Sequence, residues 1–173
     1  MQAQEHQVQN HQSAPTEGRE HIQFLTFSVA GEEYGVDITQ VHEVKGWSEP
    51  TRLPNSLSHI RGVLNLRGTI IPIHDMRVRF LQQSTEPEST HVIIVTQFDG
   101  RMAGMLVDTV NDILTTSSAD IKSIPEDSEM QRSHFLNGMI TEGERMVVVL
   151  NIPQLLTHDT GANGEQAPDV QAA

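Results

Sequence analysis

The chain matches itself at a fixed spacing. Residues 31–44, GEEYGVDITQVHEV, lie without a gap on residues 100–113, GRMAGMLVDTVNDI. Gly31 meets Gly100, Gly35 meets Gly104, Val41 meets Val110, Glu43 meets Asp112 and Val44 meets Ile113. A slightly longer offset then places Gly62 on Gly138, Ile70 and Ile71 on Met146 and Val147, Asp75 on Asn151, and Met76 on Ile152. Agreement at glycines and at apolar positions together indicates one structural unit used twice. Two such units of about 65 residues fit the length available.

The repeated unit is made of strands. Four stretches alternate apolar and polar residues on either side of a turn: 22–38 around Gly31-Glu32, 62–73 around Arg67-Gly68, 91–108 around Asp99-Gly100, and 138–152 around Glu142-Gly143-Glu144. Each reads as a β-hairpin. Helical signals are confined to a short turn over 55–60 and to residues 152–156, where Pro153 can open a final helix. Within each copy the order is hairpin, crossing strand, second hairpin, which predicts an all-β protein of two small barrels. Two runs, Val92-Ile93-Ile94-Val95 and Met146-Val147-Val148-Val149-Leu150, are apolar without alternation. A strand covered on one face alternates, so these are expected to be covered on both, the second cover being the other barrel. At about 25 cal/mol per Å² such a shared layer contributes several kcal/mol.

The ends differ from the body. Residues 1–21 and 158–173 are polar and hold too little apolar surface to offset the entropy of ordering, so both are expected to be disordered tails. The folded body is then 22–157, divided into one barrel over about 22–84 and a second over about 90–157, with a terminal strand able to cross between them. A net charge of −12 argues against a nucleic-acid binder. Against that background Arg52, Arg61, Arg67, Arg77 and Arg79 surround a single acid, Asp75, and suggest a basic surface for an acidic protein partner.

Chemistry is hard to find. There is no cysteine, which excludes disulfides and thiol catalysis. His42, His59, His74, His91 and His134 show no metal-ligand spacing, and no nucleophile elbow or phosphate-binding glycine loop occurs. No catalytic residue, metal or cofactor is expected. Neither a secretory leader nor a membrane-spanning run is visible, so a cytoplasmic protein without direct membrane insertion is expected. The composition favours a binding module over an enzyme.

The segments EEYGVDITQVHEV, HIRGVLNLRGTIIPIHDMR and GMLVDTVNDIL together resemble the chemotaxis coupling proteins, the CheW-like family, and the resemblance runs from about Phe24 to Leu156. Its most specific part is the I-R-G-x-x-N-L-R-G-x-I-x-P pattern, spanned by Ile60 to Pro72. The resemblance implies two SH3-like five-stranded β-barrels packed around a shared apolar layer, with a short C-terminal helix. It implies a non-catalytic adaptor that couples the cytoplasmic tips of transmembrane chemoreceptors to the regulatory domain of a CheA-type histidine kinase. The alternative is the same scaffold in a non-flagellar array, such as a surface-motility or biofilm pathway. By the same resemblance Arg67 is a receptor-contacting residue, with Asn65 and Gly62 beside it. Val41, Glu43 and, in the second barrel, Val92 also match coupling positions. Kinase binding falls to apolar residues at strand ends of the first barrel. His74 stands where the family usually has an apolar residue, and the N-terminal tail lies outside the shared pattern.

Overall fold

A computed structural model of the chain describes residues 20–84, 86–125 and 134–157. The stretches expected to be disordered, apart from their innermost N-terminal residues, lie outside the described residues. Eleven strands and two short helices follow one another: β1 His21–Val29, β2 Glu32–Asp37, β3 Val41–Gly46, β4 Ile60–Leu66, β5 Thr69–Asp75, α1 Met76–Leu81, β6 Val92–Phe98, β7 Arg101–Val107, β8 Thr109–Ser117, β9 Ile121–Lys122, β10 Leu136–Glu142, β11 Arg145–Leu150 and α2 Ile152–Thr157. Single 3-10 turns precede β3 and β9. All four expected hairpins are present. The first turn falls on Ala30-Gly31, one residue early, because these two residues carry the positive φ that a two-residue hairpin loop requires. His21, expected to lie outside the folded body, is the first residue of β1 and pairs with Ser117.

The strands form two sheets, ordered β8-β1-β2-β11-β10-β9 and β3-β6-β7-β5-β4. Each sheet takes strands from both sides of the boundary drawn near residues 84–90, so barrels over 22–84 and 90–157 are not what the sheets contain. The exchange goes beyond a terminal strand: each half of the chain gives its whole first hairpin to the other half. Hairpin β1-β2 is held by β8 and, in parallel, by β11, where Gly35 stands opposite Val149. Hairpin β6-β7 is held by β3 and, in parallel, by β5, where Gly104 stands opposite Ile73. The sequence repeat therefore holds in role, Gly35 with Gly104, but is reciprocal in partner.

Both sheets close on themselves in the same way. After β3 the chain crosses to the far edge of its sheet, where Thr51 and Val63 exchange two backbone hydrogen bonds of 2.9 Å. After β8 it crosses likewise, and β9 pairs with β10. At each closure a glycine lets the backbones meet: a Cβ on Gly62 would stand 2.2 Å from the Thr51 carbonyl oxygen, and one on Gly138 would stand 2.8 Å from that of Lys122. Counting β9 and the Thr51 bridge as the same closing element leaves five principal strands in each SH3-like barrel.

Three apolar clusters fill this frame. One barrel interior holds Phe24, Leu114, Ile140, Val147 and Val149, and the other holds Ile71, Ile73, Ile93, Val95 and Leu106. Between the barrels lies a larger shared layer that includes Phe27, Val36, Ile94, Met105, Val148 and Leu150. The unalternating runs thus split as their pattern requires. Ile93 and Val95 point into a barrel while Ile94 points into the shared layer, and Val147 and Val149 point inward while Val148 and Leu150 point outward. Met146, at the start of its run, is exposed.

Helix α1 is an addition to the elements expected from the sequence. Asp75 caps it by accepting from the Val78 N–H at 3.2 Å, as Asn151 caps α2 by accepting from the Gln154 N–H at 3.1 Å. Met76 from α1 and Ile152 from α2 are both fully buried in the shared layer. No helix among the described residues is long and apolar enough to cross a membrane.

Candidate binding site

The β4-β5 hairpin ends in a two-residue turn in which Arg67 (φ 48°) and Gly68 (φ 91°) both take left-handed backbone conformations. Leu64 and Leu66 pack against the barrel interior below, so the tip stands above a filled core. The Asn65 carboxamide oxygen accepts from the Gly68 N–H at 2.8 Å. The Arg67 guanidinium reaches β3, at the opposite edge of the sheet, and pairs with Glu43. Arg67 remains 66% exposed in this pair and Glu43 26% exposed. The contact spans the two edges of the sheet with a charged group that water still reaches.

The other barrel carries the corresponding device in a different form. Asp112, the repeat partner of Glu43, also meets an arginine from the facing hairpin, here Arg145. Arg145 donates to Asp112 at 2.7 and 3.1 Å, to both carboxylate oxygens of Glu33 at 2.9 and 2.5 Å, and to the Thr26 hydroxyl at 3.1 Å. One guanidinium thereby ties β1, β2, β8 and β11, and it is only 28% exposed. The Arg145 hydrogen bonds hold the Glu33 and Asp112 carboxyls below their ordinary values, and Glu33 in turn raises Arg145. So the two ends differ in grip: Arg145 is fixed by several partners, whereas Arg67 has Glu43 and open solvent.

The expected basic surface is largely absent. Arg61 donates to the buried Asp75 at 2.7 Å. Arg77 grips both oxygens of Asp108 at 2.7 Å, and Arg79 donates to the Leu155 carbonyl at 3.2 Å beside the Phe135 ring. Burial pushes the Asp108 carboxyl up, but the Arg77 fork and the Ala30 N–H at 2.7 Å outweigh it and leave it below its ordinary value. Three of the five arginines therefore tie helix α1 and its capping residue to β4, to the β7-β8 connection and to α2. Arg52 and Arg67 are the two that face solvent.

The remaining expected positions separate into two roles. Gly62 is buried, and its place is at the barrel closure rather than on a surface. Val41 and Glu43 are separated by a register shift in the β3-β6 ladder, so Val41 packs on the shared layer while Glu43 stands opposite Val95 of the barrel interior. Val92 pairs with Gly46 of β3, so the hairpin exchange brings it into the same barrel as Arg67 instead of the second one. Val41 and Val92 are half-buried along the margin of the shared layer. Val44 lies between them on the same strand face, opposite Ile94, and is 46% exposed. Sequence reasoning did not single it out; its signal was the apolar repeat match to Ile113, which is also exposed.

A second surface begins on the other side of the same hairpin. Ile70, 60% exposed and paired across the strands with Asn65, lines a groove of about 660 Å³ together with Leu53, Leu57, Pro72 and Met102. These are apolar residues at the strand ends and closing loop of the barrel that carries Arg67. His74 also lines the groove; it is buried, and its ring stacks on that of His59 with centroids 5.7 Å apart. Among the described residues no group of three or more His, Asp or Glu side chains is arranged to hold a metal ion.

Comparison with known proteins adds to this geometry. The family model described as the CheW-like domain matches residues 23–160. The chain is 39% identical over 137 residues to the chemotaxis protein CheW of Klebsiella aerogenes, covering 79% of this chain and 82% of that one. It is also 39% identical over 136 residues to the chemotaxis protein CheW of Rhizobium meliloti, covering 78% and 85%. Among solved structures it is similar to the scaffolding protein TtCheW from Thermoanaerobacter tengcongensis, with a TM-score of 0.68 and 30% identity over 75% of this chain and 88% of that one.

Proposed function

The chain belongs to the CheW-like family of chemotaxis scaffolds, and from that premise we propose that it is a cytoplasmic, non-catalytic adaptor joining chemoreceptor tips to the regulatory domain of a CheA-type histidine kinase. The receptor tip docks along β3 and the β4-β5 turn, where Val41, Val44 and Val92 offer an apolar strip beside the Arg67–Glu43 pair. The kinase domain docks in the groove lined by Leu53, Leu57 and Ile70. The observation that carries this reading is that one hairpin borders both surfaces: its tip presents Arg67 to one side and its β5 strand presents Ile70 to the other.

The physics suits a reversible contact. A guanidinium already paired in solvent exchanges one carboxylate for another at little desolvation cost, and a charge-assisted hydrogen bond is worth about 1.5–3 kcal/mol. The apolar groove supplies affinity by burial instead, at about 25 cal/mol per Å² less the cost of association. The experiment is a pair of separate binding assays. Arg67→Glu is expected to weaken receptor binding and spare the kinase domain, and Ile70→Asp to do the reverse. If each variant weakens both partners equally while remaining folded, the assignment of two surfaces is wrong.

A further inference from the structure

We infer that Asn65 is a positioning residue: it acts on the receptor through Arg67, by fixing the turn that presents the guanidinium, and does not itself touch the partner. This rests on the receptor-contact role proposed for Arg67. A two-residue hairpin loop of this kind needs positive φ at both central positions, which glycine, asparagine and aspartate accept and a long side chain resists. Arg67 is therefore in an unfavourable place for its type, and something outside the two residues must hold it there. Asn65 does so: its side-chain oxygen accepts from the Gly68 N–H at 2.8 Å, bridging the base of the turn to its tip.

The other hairpins of this chain support the assignment. The turn at Asp99-Gly100 has the same pair of positive φ values, but aspartate suits that conformation unaided. The turn at Ala30-Gly31 places an alanine at φ 51°, and there the Asp108 carboxylate accepts from the Ala30 N–H at 2.7 Å. The two turns whose first residue is poorly suited to positive φ are thus the two tied by a side-chain oxygen. In the Arg67 turn the tie also fixes the height at which the guanidinium meets Glu43 across the barrel end. Strand alternation keeps Asn65 on the outer face, opposite Ile70, while Leu64 and Leu66 fill the interior.

The test is a double-substitution cycle on the full chain, read as affinity for an isolated receptor tip segment, with hydrogen exchange at the Gly68 amide measured in parallel. Arg67→Ala is expected to weaken binding about tenfold or more, the loss of one charge-assisted bond. Asn65→Ala is expected to weaken it about three- to tenfold and to speed Gly68 exchange, without displacing the kinase domain. The double variant is expected to bind no worse than Arg67→Ala alone, within about twofold, because Asn65 has nothing left to position. Asn65→Asp, which keeps the acceptor, is expected to restore slow Gly68 exchange. Multiplying effects in the double variant would mean a direct contact by Asn65 and would overturn the inference, as would normal binding by Asn65→Ala. Normal binding by Arg67→Ala would instead overturn the role proposed for Arg67 itself.

Discussion

Gly62→Ala should be among the most damaging single-methyl changes in this protein. Gly62 has φ 146°, and an added Cβ would stand 2.2 Å from the Thr51 oxygen and 2.7 Å from its carbonyl carbon. A carbon–oxygen contact needs about 3.3 Å, so the closing strand would have to retreat by about 1 Å. That retreat lengthens both hydrogen bonds between Thr51 and Val63, each 2.9 Å, at about 1 kcal/mol apiece. Holding alanine at a φ suited only to glycine adds about 1–3 kcal/mol. The sum, about 3–5 kcal/mol, is a large part of the roughly 5–15 kcal/mol typical of a small domain. Gly138 occupies the matching closure, but its nearest neighbours stand at 2.8 Å and its φ is not in the left-handed range, so Gly138→Ala should cost less, about 1–3 kcal/mol. Urea unfolding of both variants measures this through the shift in midpoint at unchanged slope. A loss below about 1 kcal/mol for Gly62→Ala, or a larger loss for Gly138→Ala, would refute closure by close backbone approach.

Other consequences follow from the same geometry. Glu33, Asp108 and Asp112 all have depressed carboxyl values in the folded state. Their contribution is therefore present above the unfolded values of 4.5 for glutamate and 3.8 for aspartate and is lost as pH falls through the folded ones, so stability should hold to near those values and then decline. Arg145→Met should flatten that acid decline by releasing Glu33 and Asp112; an unchanged slope in unfolding measured against pH would contradict the network. Val148→Asp should unfold the chain and abolish all binding, because it puts a charge in the shared layer, and a folded variant by circular dichroism would show that layer is not continuous. Separate fragments 1–85 and 86–173 should each fail to fold, since neither holds a complete barrel, and should recover native strand signal when mixed; an independently folded fragment would contradict the hairpin exchange.

The sequence made some of this legible and hid the rest for physical reasons. Period-two alternation and the Asp99-Gly100 and Arg67-Gly68 pairs act over a few residues, so the hairpins could be read directly. The two unalternating runs revealed the shared layer because burial on both faces leaves no polar position. The repeat showed that the unit occurs twice, yet a hairpin looks the same whichever neighbour it joins, so the reciprocal exchange could not be read. Helix α1 was legible in principle: Asp75 matches the Asn151 cap, and Met76 matches Ile152. Its six residues are too few to show helical periodicity. The basic segment misled because counting charges along the chain says nothing of which groups pair once it folds. Arg61 finds Asp75 fourteen positions away, and Arg77 finds Asp108 thirty-one positions away. Of the candidate site, Arg67, Asn65, Glu43 and the two valines lay in readable motifs. Val44 carried only its repeat match to Ile113, and the groove of Leu53, Leu57 and Ile70 became visible only once the closing loop was in place.

An adaptor must hold both partners at once, which the separation of the two surfaces on the β4-β5 hairpin makes possible. The direct measurement is sedimentation of the full chain with a receptor tip segment and a kinase regulatory domain, each added to saturation. The expected result is one species whose mass is the sum of all three, with the affinity for receptor tip undiminished when the groove is occupied. If the kinase domain displaces the receptor tip, the two surfaces overlap and the chain cannot join its partners in the way proposed.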